Sequence, residues 1–355
     1  MDVEFHYHIT YILARKAGFN PDDAAVIAYA AEYTDDNNDK YKVSLPDNGE
    51  YRNYISQTLN ISWPKNKLVR IYTCFHFPAG DFLDHRPARR ADGALHLFNT
   101  TPNSPHARAM FDEALASKNL YRIGIAAHGY ADSWAHQNFI GFRHAFGRGK
   151  GLLAWVTPTI GHADFRSQPD RINLRWQDRR LLKPNQTCRN KERFLEAAQK
   201  IFLAFANHKG LDKPNESWKQ LRDDLSQAIA EECTSAKASL RGRPHRLAAY
   251  RRLCPEIPEY DSRAWLNKAL VPLTSPWRRI GDWLWRKCAA LPGLGPFLKA
   301  YWPQALRVRR FRSRPGFEKS HWHQFQDAVK AHQRFMKELQ VERYEQLGDE
   351  LREVF

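Results

Sequence analysis

Apolar residues recur at helical spacing from the first residues onward. Phe5, Ile9, Ile12 and Leu13 predict a helix over about residues 4–17, with Gly18 as its stop. Asn20-Pro21-Asp22-Asp23 then combines an N-cap, a proline at N1 and first-turn acids, so a second helix should run through AAVIAYAAEY to Thr34-Asp35-Asp36-Asn37. Residues 37–67 are polar and irregular, and PDNG at 46–49 marks a turn. LVRIYTCFHF at 68–77 alternates and is rich in β-branched and aromatic types, which predicts a short strand or extended segment. Helices are expected near 106–117, 119–145, 190–208, 216–236 and 320–353, the last with a stripe of Phe325, Val329, Phe335 and Met336. Gly149 to Asp178 reads as a loop. Strand content is low, and a mostly α fold is the expectation.

Composition narrows the function classes. An apolar share of 43% supports a buried core and excludes disorder as the main state. No stretch approaches about 18 consecutive apolar residues, which excludes a spanning helix. The five cysteines form no CxxC, so neither a thiolate zinc knuckle nor a disulfide framework is indicated. MDVEFHYHIT has no basic region ahead of an apolar one, so a cytoplasmic location is expected.

Charge is unevenly spread. Residues 241–315 hold 17 Lys/Arg and 4 Asp/Glu, a net of +13 out of +16 for the whole chain. They also carry Trp265, Trp277, Trp283, Trp285 and Trp302 and the apolar run AALPGLGPF. Three regions are expected: a helical metal-binding core over 1–240, a basic Trp/Arg-rich arm over 241–315, and a C-terminal helix over 316–355 packing on the core. Tryptophan and cations beside an apolar run suit an anionic phospholipid surface. Nucleic acid, with cations on phosphate and aromatics on bases, is the alternative partner.

Ten of the fifteen histidines lie between His6 and His162. The segment 127–139, AHGYADSWAHQNF, places His128, Asp132 and His136 at i, i+4 and i+8. On a helix they spread over about 80°, so all three share a face. The two histidine Cα atoms would be about 12 Å apart, too far for one metal but suited to two, with Asp132 able to bridge. A surface helix would account for the triplet, yet Ala127, Ala131, Trp134 and Phe139 flank it and imply burial. Further His/Asp groups stand in apolar or Gly/Pro-constrained settings: His6 and His8 on the first helix, Asp35 and Asp36 at the end of the second, His76 between two phenylalanines, and His162 with Asp170 after it. Imidazole and carboxylate are the donors of a hydrolytic zinc site.

These residues resemble a known family. AHGYADSWAHQNF is similar to the HxxxDxxxH helix of the bacterial zinc-dependent phospholipases C, whose fold is related to that of the S1/P1-type zinc nucleases. FHYHITYILARKAGF, IAYAAEYTDD, CFHFP and GHAD…PDR resemble, more closely, an uncharacterised bacterial family of unknown function expected to belong to the same superfamily. The likeness covers residues 1 to about 180. It implies an all-α core holding two or three zinc ions. His76, His128 and Asp132 would hold one, with Asp35 or Asp36 as fourth ligand; His136 and His162 a second, completed by Asp164; and His8 with Asp132 a third. Three departures stand out. The phospholipases begin with a tryptophan whose terminal amine binds zinc, whereas here Met1 precedes DVEF and His6 is the candidate in its place. The Asp132–His136 spacing is shorter, and His162-x-Asp164 replaces His-xxx-Glu, with Asp170 the other candidate.

The activity this implies is zinc-dependent hydrolysis of a phosphodiester, phospholipase C-like on phospholipid, with an S1/P1-like nuclease or a non-enzymatic zinc-stabilised binding module as alternatives. Asp35 or Asp36 would position or deprotonate the attacking water. Arg143, Arg166 and Arg171 are candidates for holding a phosphate. A lipid substrate would also favour export by a signal-independent route, as a membrane-peripheral effector countered by an inhibitor or immunity protein.

Overall fold

The caps form as the sequence requires. In the computed structural model Asn20 accepts the Asp23 N–H at 2.8 Å and Pro21 opens the helix Pro21–Asp36. Ser104 caps Pro105–Ala116, and Asn119 accepts from Tyr121 and Arg122 at the start of Leu120–Ala135. The structure describes residues 1–58, 65–81, 90–94, 96–142, 161–162, 165–273 and 309–346. Arg143, Asp164 and residues 274–308 of the expected basic arm lie outside them.

The chain is mostly helical. A π-helical stretch, Glu4–Ile9, leads into α1 (Thr10–Lys16), and α2 (Pro21–Asp36) follows. Then come α3 (Lys65–Phe75), α4 (Pro105–Ala116), α5 (Leu120–Ala135), α6 (Asn190–Lys209), α7 (Pro214–Ile229), α8 (Ala236–Leu253), α9 (Ala264–Ala269) and α10 (His321–Gln346). Helix α5 is the centre of the core, with every residue from Ile123 to Ala135 buried. It meets α2 at Gly124, where a β-carbon would lie 2.4 Å from the Ile27 carbonyl oxygen and 2.6 Å from Ala30 Cβ. The missing side chain lets the two helices approach closely enough to share one site.

Four short strands form a sheet in the order β2-β1-β6-β5: β1 (Tyr41–Ser44), β2 (Glu50–Arg52), β5 (Leu270–Pro272) and β6 (Arg309–Ser313). Strands β1 and β6 are parallel, with Lys42 opposite Arg310, and the other pairs are antiparallel. A separate hairpin pairs β3 (Arg175–Gln177) with β4 (Thr187–Arg189).

Four expectations need correction. Residues 65–75 are helical, not extended. Leu68, Val69, Ile71, Thr73, Cys74 and Phe75 are all buried, and packing on the core holds in a helix the β-branched and aromatic residues that locally favour a strand. Helix α5 ends at Ala135, ten residues early, because His136 leaves helical geometry (ψ 15°) and Asn138 takes a positive φ of 69°. The loop expected over 149–178 includes β3. Finally, no boundary falls at 240, since α8 runs across it and residues 241–273 pack on the core. Arg246 of α8 makes two hydrogen bonds to the buried Glu4 carboxylate, at 2.7 and 2.8 Å. Trp265 stacks on Tyr29 at 3.9 Å and on His321 at 5.3 Å.

Candidate metal centre

Five segments converge on Asp132. Helix α2 delivers Asp35 from its last turn, the residue after α3 is His76, and α5 carries His128 and Asp132 with His136 as its C-cap. The N-terminal segment brings His6 and the Met1 α-amine, and the loop before β3 brings His162 and Asp170. His128 Nε2 lies 3.3 Å and His76 Nδ1 3.5 Å from Asp132 Oδ2, and His6 Nε2 is 3.2 Å from Oδ1. His76 Nδ1 is also 3.6 Å from Asp35 Oδ1. At the far end His136 Nε2 lies 3.1 Å and His162 Nε2 3.4 Å from the two oxygens of Asp170.

Among the described residues three groups of donor atoms are close enough to share an ion: His6, Asp35 and His128; His76, His128 and Asp132; and His136, His162 and Asp170. Zinc–nitrogen bonds of 2.0–2.1 Å put neighbouring atoms of a tetrahedron about 3.3 Å apart. The separations above bracket that edge length, so the donor set fits zinc in both residue type and spacing. Both ring nitrogens of His6, and Nδ1 of His128, are buried without a hydrogen-bond partner, which is costly unless something else meets them.

The ring tautomers favour ligation. A backbone carbonyl can only accept, so the nitrogen facing it must carry the proton. His76 Nε2 donates to the Ser56 carbonyl at 2.9 Å, His136 Nδ1 to the His76 carbonyl at 2.7 Å, and His162 Nδ1 to the Arg166 carbonyl at 2.7 Å. In each ring the other nitrogen turns toward a carboxylate. Metal-bound histidines are oriented in this way.

The electrostatics of most of these groups run the same way. Burial would raise the Asp132 carboxyl, but His136, the Met1 amine, His128 and His6 outweigh it and hold it well below the usual range. Asp170 is likewise held far down against its burial by His162, the amine and His136. Asp35 is lowered by His128, His76 and His6, again against burial. Burial, with His128 and the amine adding to it, pushes His6 down to about 3, and burial lowers His162 too. His136 runs the other way, because Asp132 and Asp170 raise it against its burial, so a metal bound there would displace a proton. Ionised carboxylates and neutral imidazoles are the forms that bind metal.

The sequence-derived residues divide as follows. His6, Asp35, His76, His128, Asp132, His136, His162 and Asp170 come together. His8 does not: residues i and i+2 of a helical turn face opposite ways, and His8 packs beside the Tyr250 ring at 6.1 Å. Asp36 likewise turns from the cluster and accepts a hydrogen bond from Tyr260 at 2.7 Å. Arg171 pairs with Asp2 at 3.4 Å, and Arg166 is exposed, contributing its carbonyl, not its guanidinium.

Two participants were not foreseen. The Met1 α-amine is buried against Asp132 and lies 3.4 Å from Asp170; those two carboxylates and Asp35 overcome its burial and raise it to about 11. Arg246 and Arg243, by gripping Glu4 and Asp2, hold this segment in place. Gln57 donates to Asp35 Oδ1 at 2.9 Å. A lone glutamine in a polar stretch carries no motif, whereas the signal for the amine is the resemblance itself, whose members bind zinc through a terminal amine that His6 was expected to replace here.

The site is closed on most sides. The Met1 amine and the side chains of His6, His76, His128, Asp132 and His136 are buried, whereas those of Asp35, His162 and Asp170 are 32%, 21% and 17% exposed. Those three form its rim. No curated protein and no solved structure matches the chain. The model of a family of unknown function (DUF6765) matches residues 1–339, and the chain belongs to that family.

Proposed function

We propose that this cluster binds two or three zinc ions and that the protein is a zinc-dependent phosphoric-ester hydrolase of phospholipase C type, acting on phospholipid. The observation that carries the reading is the set of three histidines, His76, His136 and His162, each with one ring nitrogen committed to a carbonyl and the other aimed at a carboxylate. The likeness of the α5 motif to the phospholipase helix adds to it, and so does the mostly α fold.

Zinc bound here would supply Lewis acidity and lower the pKa of a coordinated water toward about 7. The protein's share is positioning. Asp132 is reached by histidines from both ends of the cluster and is the candidate shared ligand. The Met1 amine, His6 and Asp35 are further ligand candidates. Asp35 stands at the rim, with Oδ1 accepting from Gln57, and is the candidate to orient or deprotonate a water, a role that Asp36 is turned away from. The exposure of Asp35, His162 and Asp170 favours an open catalytic site over a closed structural one.

The test is metal content per chain on untagged protein purified without chelator, together with His128→Ala and Asp132→Ala, followed by assay on phospholipid and on single-stranded nucleic acid. Two or three zinc ions, fewer in each variant, with release of a phosphorylated head group, supports the proposal. Cleavage of nucleic acid alone would replace it with a nuclease. A single ion unaffected by either substitution, with no hydrolysis, would leave a zinc-stabilised binding module.

A further inference from the structure

The four-stranded sheet has two unlike faces. On one, Tyr41, Val43 and Phe311 are buried, and the rings of Tyr41 and Tyr51 lie 6.2 and 6.0 Å from Trp322 of α10. The other face begins with a row of cations: Arg52 is opposite Lys42, and Lys42 is opposite Arg310. Leu273 donates its N–H to the Arg310 carbonyl at 2.9 Å, and Val271 is opposite Arg312. Val271 and Leu273 are 38% and 37% exposed. Glu50 meets Arg52 at 2.6 Å and Lys42 at 3.5 Å, whereas neither Arg310 nor Arg312 forms an ion pair with a described residue.

Like charges directly across a sheet destabilise it. Cations commonly guard sheet edges against unwanted pairing, but β6 lies inside this sheet, between β1 and β5, so edge protection does not explain Arg310 and Arg312. Two cations that no described residue neutralises, next to two that share Glu50 and beside exposed aliphatic side chains, complement an anionic surface with an apolar interior. We infer that this outer face docks the protein on an anionic phospholipid bilayer, with Lys42, Arg52, Arg310 and Arg312 on head-group phosphates and Val271 and Leu273 against the acyl boundary. Bilayer is favoured over nucleic acid because this face presents aliphatic and not aromatic groups, and unpaired bases are gripped by stacking on aromatic rings. Strand β1 begins six residues after Asp35, so the face lies within about 20 Å of chain from the rim of the metal cluster. The choice of lipid as occupant rests on the function proposed above, but binding is measured without hydrolysis.

The experiment is co-sedimentation of the full-length, metal-loaded protein with phosphatidylglycerol/phosphatidylcholine vesicles and with pure phosphatidylcholine vesicles, at low and high salt. The wild type should prefer the anionic vesicles. Arg310→Gln/Arg312→Gln should weaken that binding about 10- to 30-fold, from the contribution of each basic residue near an anionic surface. Val271→Ser/Leu273→Ser should remove the part that survives high salt. Both variants should keep the wild-type zinc content and unfolding midpoint, and Asp132→Ala should bind vesicles normally. Equal vesicle binding by wild type and the arginine variant overturns the inference. So does retention of single-stranded nucleic acid that the arginine variant loses while vesicle binding persists, or a wild-type dimer that the variant dissociates. Failure of docking with intact hydrolysis of a soluble short-chain phospholipid would count against this face alone. Normal docking with no hydrolysis would count against the enzyme alone.

Discussion

His128 Nε2 stands 3.0 Å from His76 Nδ1, and the other nitrogen of His76 is already committed to the Ser56 carbonyl. Two buried imidazoles, one on α5 and one just past the end of α3, therefore point at each other across a space that Asp132 Oδ2 also faces. An ion that binds this arrangement and not the unfolded chain stabilises the fold by mass action, about 2.7 kcal/mol per site at a hundredfold excess over Kd. Stripping the protein with a chelator should lower its urea unfolding free energy by several kcal/mol, and added zinc should restore it. In His76→Ala the same treatment should have a visibly smaller effect. An unfolding curve unmoved by chelator would remove the metal from the description of this site.

Gln57 touches Asp35 but none of the histidines that surround it. Gln57→Leu should therefore leave zinc content unchanged while releasing the carboxylate at the rim. The expected loss is about 10- to 100-fold in kcat, the usual consequence of removing an outer partner from a metal-site residue. If zinc is lost in parallel, Asp35 is acting as a ligand and not as the group that handles water.

How far residue order reveals a site depends on which part of it is periodic. His128 and Asp132 were readable because helical spacing alone puts them on one face, and the capping signal at Asn20 fixed where α2 begins. His76, Asp35, His162 and Asp170 could be suspected only from their settings, because their convergence depends on how α2, α3 and α5 pack and not on spacing. His8 and Asp36 looked as good as His6 and Asp35, and only the direction of each side chain separates them. The basic region looked like a separate arm because charge marks composition, whereas Arg246 bound to Glu4 and Trp265 packed on Tyr29 are core contacts that composition does not reveal. Residues 68–77 suggest a strand or extended segment for a related reason: β-branched and aromatic types favour strands locally, and core packing overrides that preference in α3.

The contact between α2 and α5 at Gly124 gives a stability prediction with a geometric basis. A methyl group there would sit 2.4 Å from the Ile27 carbonyl oxygen, and backbone cannot swing aside as a side chain can. Gly124→Ala should lower the unfolding free energy by about 1–3 kcal/mol, with overpacking outweighing the better helix propensity of alanine. Because the same two helices carry Asp35, His128 and Asp132, zinc affinity should fall as well. Gly210→Ala is the control: it caps α6 at a positive φ of 68° with open space around it, so it should cost stability through strain while leaving zinc affinity unchanged.

His332 of α10 makes the protein's acid sensitivity testable at a residue outside the metal-ligand candidates. It is buried, stacks on Phe75 at 5.3 Å and donates Nε2–H to the Cys74 carbonyl at 3.0 Å. Burial pushes its pKa down to about 4 against the help of that hydrogen bond, and the Arg122 charge pushes the same way. An unfolded chain would protonate this ring near its ordinary value of 6.5, so between pH 6.5 and 4 unfolding takes up a proton that the folded state refuses. Stability from this residue is therefore complete above about pH 6.5 and declines as pH falls through that window to about 4, by about 3 kcal/mol in all. His332→Gln keeps a donor for Cys74 but cannot titrate. Urea unfolding of both proteins at intervals from pH 7 to pH 4 should show the wild type losing stability faster than the variant, with the difference confined to that range. Parallel curves would mean that His332 is protonated in the folded protein, and that its burial beside Phe75 is relieved before the rest of the structure opens.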